Sequence, residues 1–231
     1  MDDFEASVFQ KDSNNLNLKM WIDRSTLERK KLYFISKRFL DIVLSMIGLV
    51  MLLPLFMFVA ILIKIEDPSG SIFFSQTRMG KEKKEFKMYK FRSMCVDAEN
   101  KLDSLLKFNE IEGAMFKIKN DPRVTKIGKL LRKTSIDELP QLFNVLKGDM
   151  SLVGPRPPLT REVIEYTEYD LQRLYVKPGC TGLWQVSGRN KLSFSQMVNL
   201  DIEYIDNLSV YNDIKIILKT IFIMIKPNSA Y

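Results

Sequence analysis

Histidine is absent from this 231-residue chain. That absence excludes imidazole general bases, Ser–His–Asp triads and histidine-ligated zinc. Cysteine is scarce: Cys95 and Cys180 are the only two and form no CxxC pattern, so neither a disulfide framework nor a thiolate metal site is indicated. Both read as buried thiols in a reducing compartment. Chemistry must therefore rest on carboxylates, Lys, Tyr, Ser or these two thiols. Internal repeats and low-complexity tracts are also missing. With 46% hydrophobic and 27% charged residues, the chain has the composition of a folded domain with an appendage.

The net surplus of basic over acidic residues lies in one stretch. Residues 67–135 hold sixteen basic and nine acidic side chains, which equals the whole net charge of +7. Residues 1–36, 37–66 and 136–231 sum to 0, +1 and −1. A concentrated positive patch suits lipid headgroups, nucleotide phosphates or nucleic acid, or is simply a solvated basic face.

Just before that patch, Ile42 to Ile63 is a run of 22 residues without a charge. It is long enough to cross a hydrocarbon core of about 30 Å. It follows a polar arm and no A-x-A site comes after it, so it does not read as a cleavable signal peptide. Pro54, near its middle, removes a helical hydrogen bond and bends the axis. Basic residues flank it almost evenly, six in 22–41 and four in 64–83, where a spanning helix has a one-sided excess. Both features favour a hairpin that enters one leaflet and returns, with a Pro-kinked single span as the alternative.

Elsewhere Ser25 and Glu28 are spaced as a capping box for a helix over Ser25–Ile35. Residues 72–78 and 85–91 are β-prone runs flanking Met79-Gly80-Lys81, a hairpin pattern. Ala98–Phe108 has leucines at helical spacing. Val124, Ile127, Leu130 and Leu131 line another helix whose other faces are basic, suited to a membrane surface or to ordinary packing over a core. Gln141–Leu146 reads as a helix with Pro140 in its first turn and Gly148 ending it. Ser187-Gly188-Arg189-Asn190 reads as a turn, and Ile214–Ile225 is too short to span.

Adjacent carboxylates, Asp137 and Glu138, stand at that helix start. A helix N-terminus steadies negative charge, and two carboxylates can hold a divalent cation. Ser135-x-x-Glu138 also reads as a capping box. If one of these carboxylates attacks an anionic pyrophosphate, cations must offset the repulsion. The candidates are Lys90 and Arg92, Arg132 beside the acids, and Arg156, which two prolines stiffen in Gly154-Pro155-Arg156-Pro157-Pro158.

Lys37-Arg38-Phe39-Leu40-Asp41, KFRSM at 90–94, NDPRVTKIG at 120–128, SIDELPQLFNVLKGDMSLVGPRP at 135–157, KPGCTGLWQVSGR at 177–189 and the Asp201–Thr220 segment together resemble the bacterial sugar transferases. These are monotopic phosphoglycosyl transferases that initiate capsule, exopolysaccharide or O-antigen assembly. The resemblance covers roughly 37–228. It leaves residues 1–36 as an unassigned polar arm and looks like a small form of the family. It implies an α+β, predominantly helical fold with a Pro-broken re-entrant membrane hairpin at 37–66. A cytoplasmic catalytic domain at 67–231 would carry a small β-hairpin and interfacial amphipathic helices.

The resemblance further implies that Asp137 attacks the β-phosphate of a UDP-sugar. UMP leaves, and undecaprenyl phosphate then takes the sugar phosphate from the aspartyl intermediate, with Mg2+ required. Glu138 becomes the partner of Asp137, and the two are the metal-ligand candidates. Arg132 and Arg156 become phosphate or nucleotide contacts, and Lys90, Arg189 and Asp201 further site residues, while Arg92 stays a candidate phosphate-binding cation from the sequence pattern. Membrane lipids are implied as partners and nucleic acid is not. The place is the cytoplasmic leaflet of a bacterial plasma membrane. TGLWQVSGR and the length of the 95–130 segment look most like glucose- or galactose-phosphate transferases. Leu53 stands before Pro54 where some members have Ser, so no side-chain hydroxyl supports that kink. A sugar-only transferase releasing UDP and a non-catalytic membrane scaffold are the rival readings. The pattern carries no signal for oligomeric state.

Overall fold

A computed structural model of the chain describes residues 20–98, 100–105, 118, 120–188 and 192–225. The described part is mostly helical with two small two-stranded sheets, an α+β arrangement. Helix α1 (Arg24–Arg29) is followed directly by α2 (Lys31–Glu66). The strands β1 (Phe73–Met79) and β2 (Glu85–Phe91) pair antiparallel, Phe73 opposite Phe91 and Met79 opposite Glu85. Next come α3 (Leu102–Leu105), α4 (Lys126–Lys133), a 3-10 turn at Ile136–Glu138, α5 (Gln141–Lys147) and β3 (Ser151–Val153). Two short helices, α6 (Thr160–Ile164) and α7 (Glu168–Leu171), lead to a 3-10 turn at Gln172–Tyr175. After β4 (Gly179–Thr181), which pairs parallel to β3, come α8 (Leu183–Ser187), α9 (Phe194–Asp206) and α10 (Val210–Ile225).

Several local expectations are corrected. The first short helix is capped by Asp23, whose carboxylate accepts from the Ser25 amide at 2.9 Å, and it ends at Arg29. Its cap is an Asx oxygen rather than the Ser25–Glu28 box. Only Leu102–Leu105 of Ala98–Phe108 is a described helix, and Phe108 lies outside the described residues. The break expected at Pro54 is also not seen: α2 runs through it as one helix of 36 residues. A proline removes one backbone hydrogen bond, and the helix on either side is held by its own ladder and by packing.

α2 touches the remaining body on both sides of its apolar segment. Before the segment, Lys37 pairs with Asp213 at 2.9 Å, and Arg38 donates to the Val145 and Leu146 carbonyls at 2.6 and 2.7 Å. Asp41 accepts from the Leu152 amide at 2.9 Å and the Ser151 hydroxyl at 3.1 Å. At its far end Val59 and Ile63, still inside the uncharged run, pack with Phe91 and Leu131 in a buried cluster, and beyond the run the Glu66 carboxylate accepts from the Lys126 amide at 2.7 Å. The outward stripe is apolar: Met46, Val50, Met51, Leu53, Met57 and Ile61 are each more than half exposed. α2 passes, by length and composition, as a helix able to cross a membrane.

A second core joins β3 to the last two helices through Val153, Val176, Tyr204, Ile205, Leu208 and Ile216. Tyr204 donates to Asp213 at 2.8 Å and lies 3.1 Å from the Val153 carbonyl, which ties α9, α10 and β3 together. This core holds the strand that leads into the Arg156 loop.

Candidate active site

The two acids sit on the 3-10 turn between α4 and α5. Ser135, just before it, has φ 57° and ψ 16° and makes no side-chain cap, so the expected Ser135–Glu138 capping box does not form. A left-handed serine costs on the order of 1–3 kcal/mol, a kind of strain that concentrates at functional sites. Asp137 is buried, while the Glu138 side chain is 39% exposed and reachable by a ligand. α5 then runs to Lys147 and closes on Gly148 at φ 93°, as its sequence predicts.

Cations converge on this pair from different elements. Lys90 of β2 reaches Glu138 with Nζ 2.5 Å from Oε1. Against the burial that would raise it, Lys90 and then Arg156 and Arg78 hold Glu138 below the usual glutamate range. Burial pushes Asp137 up, only partly offset by Lys90 and Arg132, and the neighbouring Glu138 pushes it further up. Arg132, in the last turn of α4, donates its Nε to the Ser93 hydroxyl at 2.9 Å.

The other expected site residues lie elsewhere. Arg92 is turned away, binding the carboxylate and the backbone oxygen of Asp67 at 2.5 and 3.0 Å. Asp201 lies fully buried in α9, where Arg173 contacts it through Nε at 2.8 Å and Nη2 at 2.7 Å. Burial lifts its carboxyl to about 6 in spite of that arginine. Arg189 lies outside the described residues.

Two cavities flank the site and share Trp184 as a wall. The larger is an open cleft of about 380 Å³. Arg132, Lys133, Ser135 and Glu138 line one end, and Leu139, Leu142, Leu152, Ile217, Ile221 and Met224 form an apolar wall. Cys180 also lines it, and burial pushes its thiol far up, which makes it a poor nucleophile. The smaller cavity, about 10 Å³, lies among Arg156, Glu162, Tyr166, Arg173 and Phe194. It is water-sized.

Arg78, Arg173 and Trp184 escaped the reading of the sequence. Arg78 is buried in β1 and donates to the Pro157 carbonyl at 3.1 Å, directly beneath the Arg156 loop. A charged residue on the inward face of a strand was its one available signal. The partner of Arg173 is 28 positions away in α9, which no local pattern reveals.

The bacterial sugar transferase family model matches residues 32–227. The chain belongs to the bacterial sugar transferase family. It is 50% identical over 199 residues to the galactosyl transferase CpsE of Streptococcus agalactiae, covering 86% of this chain and 44% of that protein. It is 42% identical over 212 residues to the undecaprenyl-phosphate galactose phosphotransferase of Salmonella typhimurium, covering 90% and 44%. With the exopolysaccharide production protein ExoY of Rhizobium meliloti the identity is 40% over 190 residues, covering 80% and 84%. The chain thus spans less than half the length of the first two and most of the third.

Proposed function

We propose that this chain transfers a sugar 1-phosphate from a UDP-sugar to undecaprenyl phosphate, the first membrane step of exopolysaccharide or capsule synthesis. One observation carries the reading: Glu138, with Arg132 and Ser135, lines the polar end of a cleft whose other wall is apolar, with Lys90 on Glu138 and Asp137 buried beside it on the same turn. Such a site offers cations to phosphates and hydrocarbon contact to a lipid acceptor. Relatives named for undecaprenyl phosphate with galactose or N-acetylgalactosamine support the same substrates. UDP-galactose and UDP-glucose are the sugars to try first.

In the first half-reaction an Asp137 oxygen attacks the sugar-bearing phosphorus, the diphosphate P–O bond breaks, and UMP departs with that electron pair. An oxygen of the lipid phosphate then attacks the same phosphorus, and the acyl phosphate bond breaks to restore Asp137. Lys90 neutralises Glu138, and Arg132 and Arg156 offset the charge that gathers on the phosphates. The residues fit a Mg2+ ion. Among the described residues no cluster of three acidic or thiol ligands exists, and two carboxylates suit a cation that fills its shell with water and substrate phosphates. Bound there by Asp137 and Glu138, it would supply charge neutralisation for the leaving phosphate.

The membrane arrangement follows from α2. A helix crossing the bilayer would carry its two flanks to opposite faces, yet both flanks, Arg38 and Asp41 on one side and Glu66 on the other, grip one body. We therefore read α2 as re-entrant, with its exposed apolar stripe in the cytoplasmic leaflet. Cysteines replacing Lys31 and Lys64, in a variant lacking Cys95 and Cys180, should both resist an impermeant thiol reagent in intact cells. Labelling of one alone overturns the topology.

The reaction is tested without lipid. Enzyme, labelled UDP-sugar and Mg2+ should release at most about one UMP per site and leave sugar phosphate on the Asp137 peptide. Release of UDP would establish the sugar-only transferase. No turnover of any UDP-sugar, even with lipid added, would establish the scaffold.

A further inference from the structure

The exit of α2 ends in two acidic residues, and each leads to a cation of the site. The Glu66 carboxylate accepts from the Lys126 amide at 2.7 Å and the Ile127 amide at 3.1 Å, capping the first turn of α4. The last turn of that helix carries Arg132. Asp67 holds Arg92, the residue that follows β2, and Lys90 lies two positions earlier on the same strand. Ser93, next along, receives Arg132 on its hydroxyl and the Thr125 amide on its carbonyl at 3.1 Å. The α2 exit, the β2 end and α4 therefore form one closed hydrogen-bonded circuit around Asp137 and Glu138.

Packing in the circuit leaves no slack. A Cβ on Gly70 would lie 1.6 Å from Arg92 Nη1, and one on Gly128 would lie 2.0 Å from the Ser93 carbonyl oxygen. Phe91 and Leu131, neighbours of Arg92 and Arg132, pack against Val59 and Ile63 of α2. Meanwhile Glu66 is exposed and the Asp67 side chain is 26% exposed. The Glu66 cap, so placed, contributes little to overall stability, commonly about 1 kcal/mol, whereas Arg92 is buried and is left without this carboxylate when Asp67 is removed. The placement of the two acids at the junction of two site-bearing elements is the feature that stability does not account for.

We propose that Glu66 and Asp67 are positioning residues: through α4 and the end of β2 they set Arg132 and Lys90 against the Asp137–Glu138 pair. The path of the apolar helix thereby fixes the geometry of the site. This rests on the transferase reading given above for its kinetic test, but the placement itself is measured separately.

The test uses the full chain in lipid nanodiscs, with Asp67→Asn, Asp67→Glu and Glu66→Ala. Asp67→Asn and Glu66→Ala should each lower kcat for UMP release roughly tenfold to a hundredfold, the range expected for misplaced catalytic groups. KM for the UDP-sugar should change less than kcat, the thermal stability of Glu66→Ala should stay close to that of the parent, and Asp67→Glu should recover most of the rate lost in Asp67→Asn. Amide exchange should quicken in 88–95 and 125–133 and not in α9. An unchanged kcat in both loss variants, or a loss that follows thermal stability and that Asp67→Glu does not recover, overturns the proposal. Glu66→Ala alters an exposed carboxylate and carries the test alone should Asp67→Asn not fold. If the parent chain releases no UMP the transferase reading falls, and exchange still decides: no quickening in either segment refutes the circuit.

Discussion

Asp137 and Asp201 are both buried carboxylates that burial pushes upward, and both have an arginine in their surroundings. Their settings separate them. Asp137 sits on a short turn beside an open cleft, and Lys90 and Arg132 act on it across space. Asp201 sits inside α9, sealed from solvent and bound twice by Arg173, whose Nη1 in turn is held 2.9 Å from the Tyr166 hydroxyl. The first arrangement sets the carboxylate one residue from Glu138, which lines the cleft; the second spends it on holding an arginine in place. An acidic residue in a site region therefore shows its role by what its oxygens can reach, not by burial or by a displaced pKa.

The largest effect should come from Asp137→Asn. Removing the proposed nucleophile should lower turnover by on the order of 10⁴-fold or more, with little change in thermal stability, since the turn keeps its shape. UMP release and thermal unfolding in the same detergent check both halves. Asp201→Ala should reverse the balance. It strands the buried Arg173 charge, so unfolding stability should fall by about 3–5 kcal/mol, read by denaturant titration, while turnover per folded molecule falls far less than for Asp137→Asn.

The pH dependence of stability sharpens the same contrast. Asp201 titrates at about 6 in the folded chain, above its ordinary value of 3.8. Below that ordinary value it is protonated both folded and unfolded, and its contribution is fully present. As pH rises toward 6 the unfolded chain loses the proton first, so stability should decline across that window. In Asp201→Asn this one-proton slope should vanish from the pH profile of unfolding. The smallest effect is expected at the apolar wall. Ile221→Ser removes part of a half-exposed side chain, roughly 1 kcal/mol of apolar contact. It should raise KM for the lipid phosphate several-fold and leave lipid-free UMP release intact.

Much of the scaffold was legible because it depends on neighbours in the chain. Alternating β-prone runs around Gly80 became the β1–β2 pair, and Pro140 and Gly148 bracket α5 as their backbone constraints require. Ser135 shows where local rules fail. Its spacing to Glu138 suits a cap, but Ser135 takes a left-handed conformation and Glu138 is spent on Lys90, 48 positions away. Arg92 shows the same failure: it stands beside Lys90 in sequence, but the strand end turns it to Asp67.

Charge distribution, the uncharged run from Ile42 to Ile63 and the Asp137–Glu138 pair are properties of order along the chain, and the sequence alone determined them. It therefore sufficed for the family, for an α+β helical class and for the chemistry to look for. Tertiary structure decided which cations face the dyad, that Arg78 and Arg173 underlie the Arg156 loop, and that both flanks of α2 hold one body. The physical reason is range. A helix or turn is set by contacts within a few residues, whereas an ion pair such as Lys90–Glu138 or Arg173–Asp201 forms only when separate elements pack and exclude water between them.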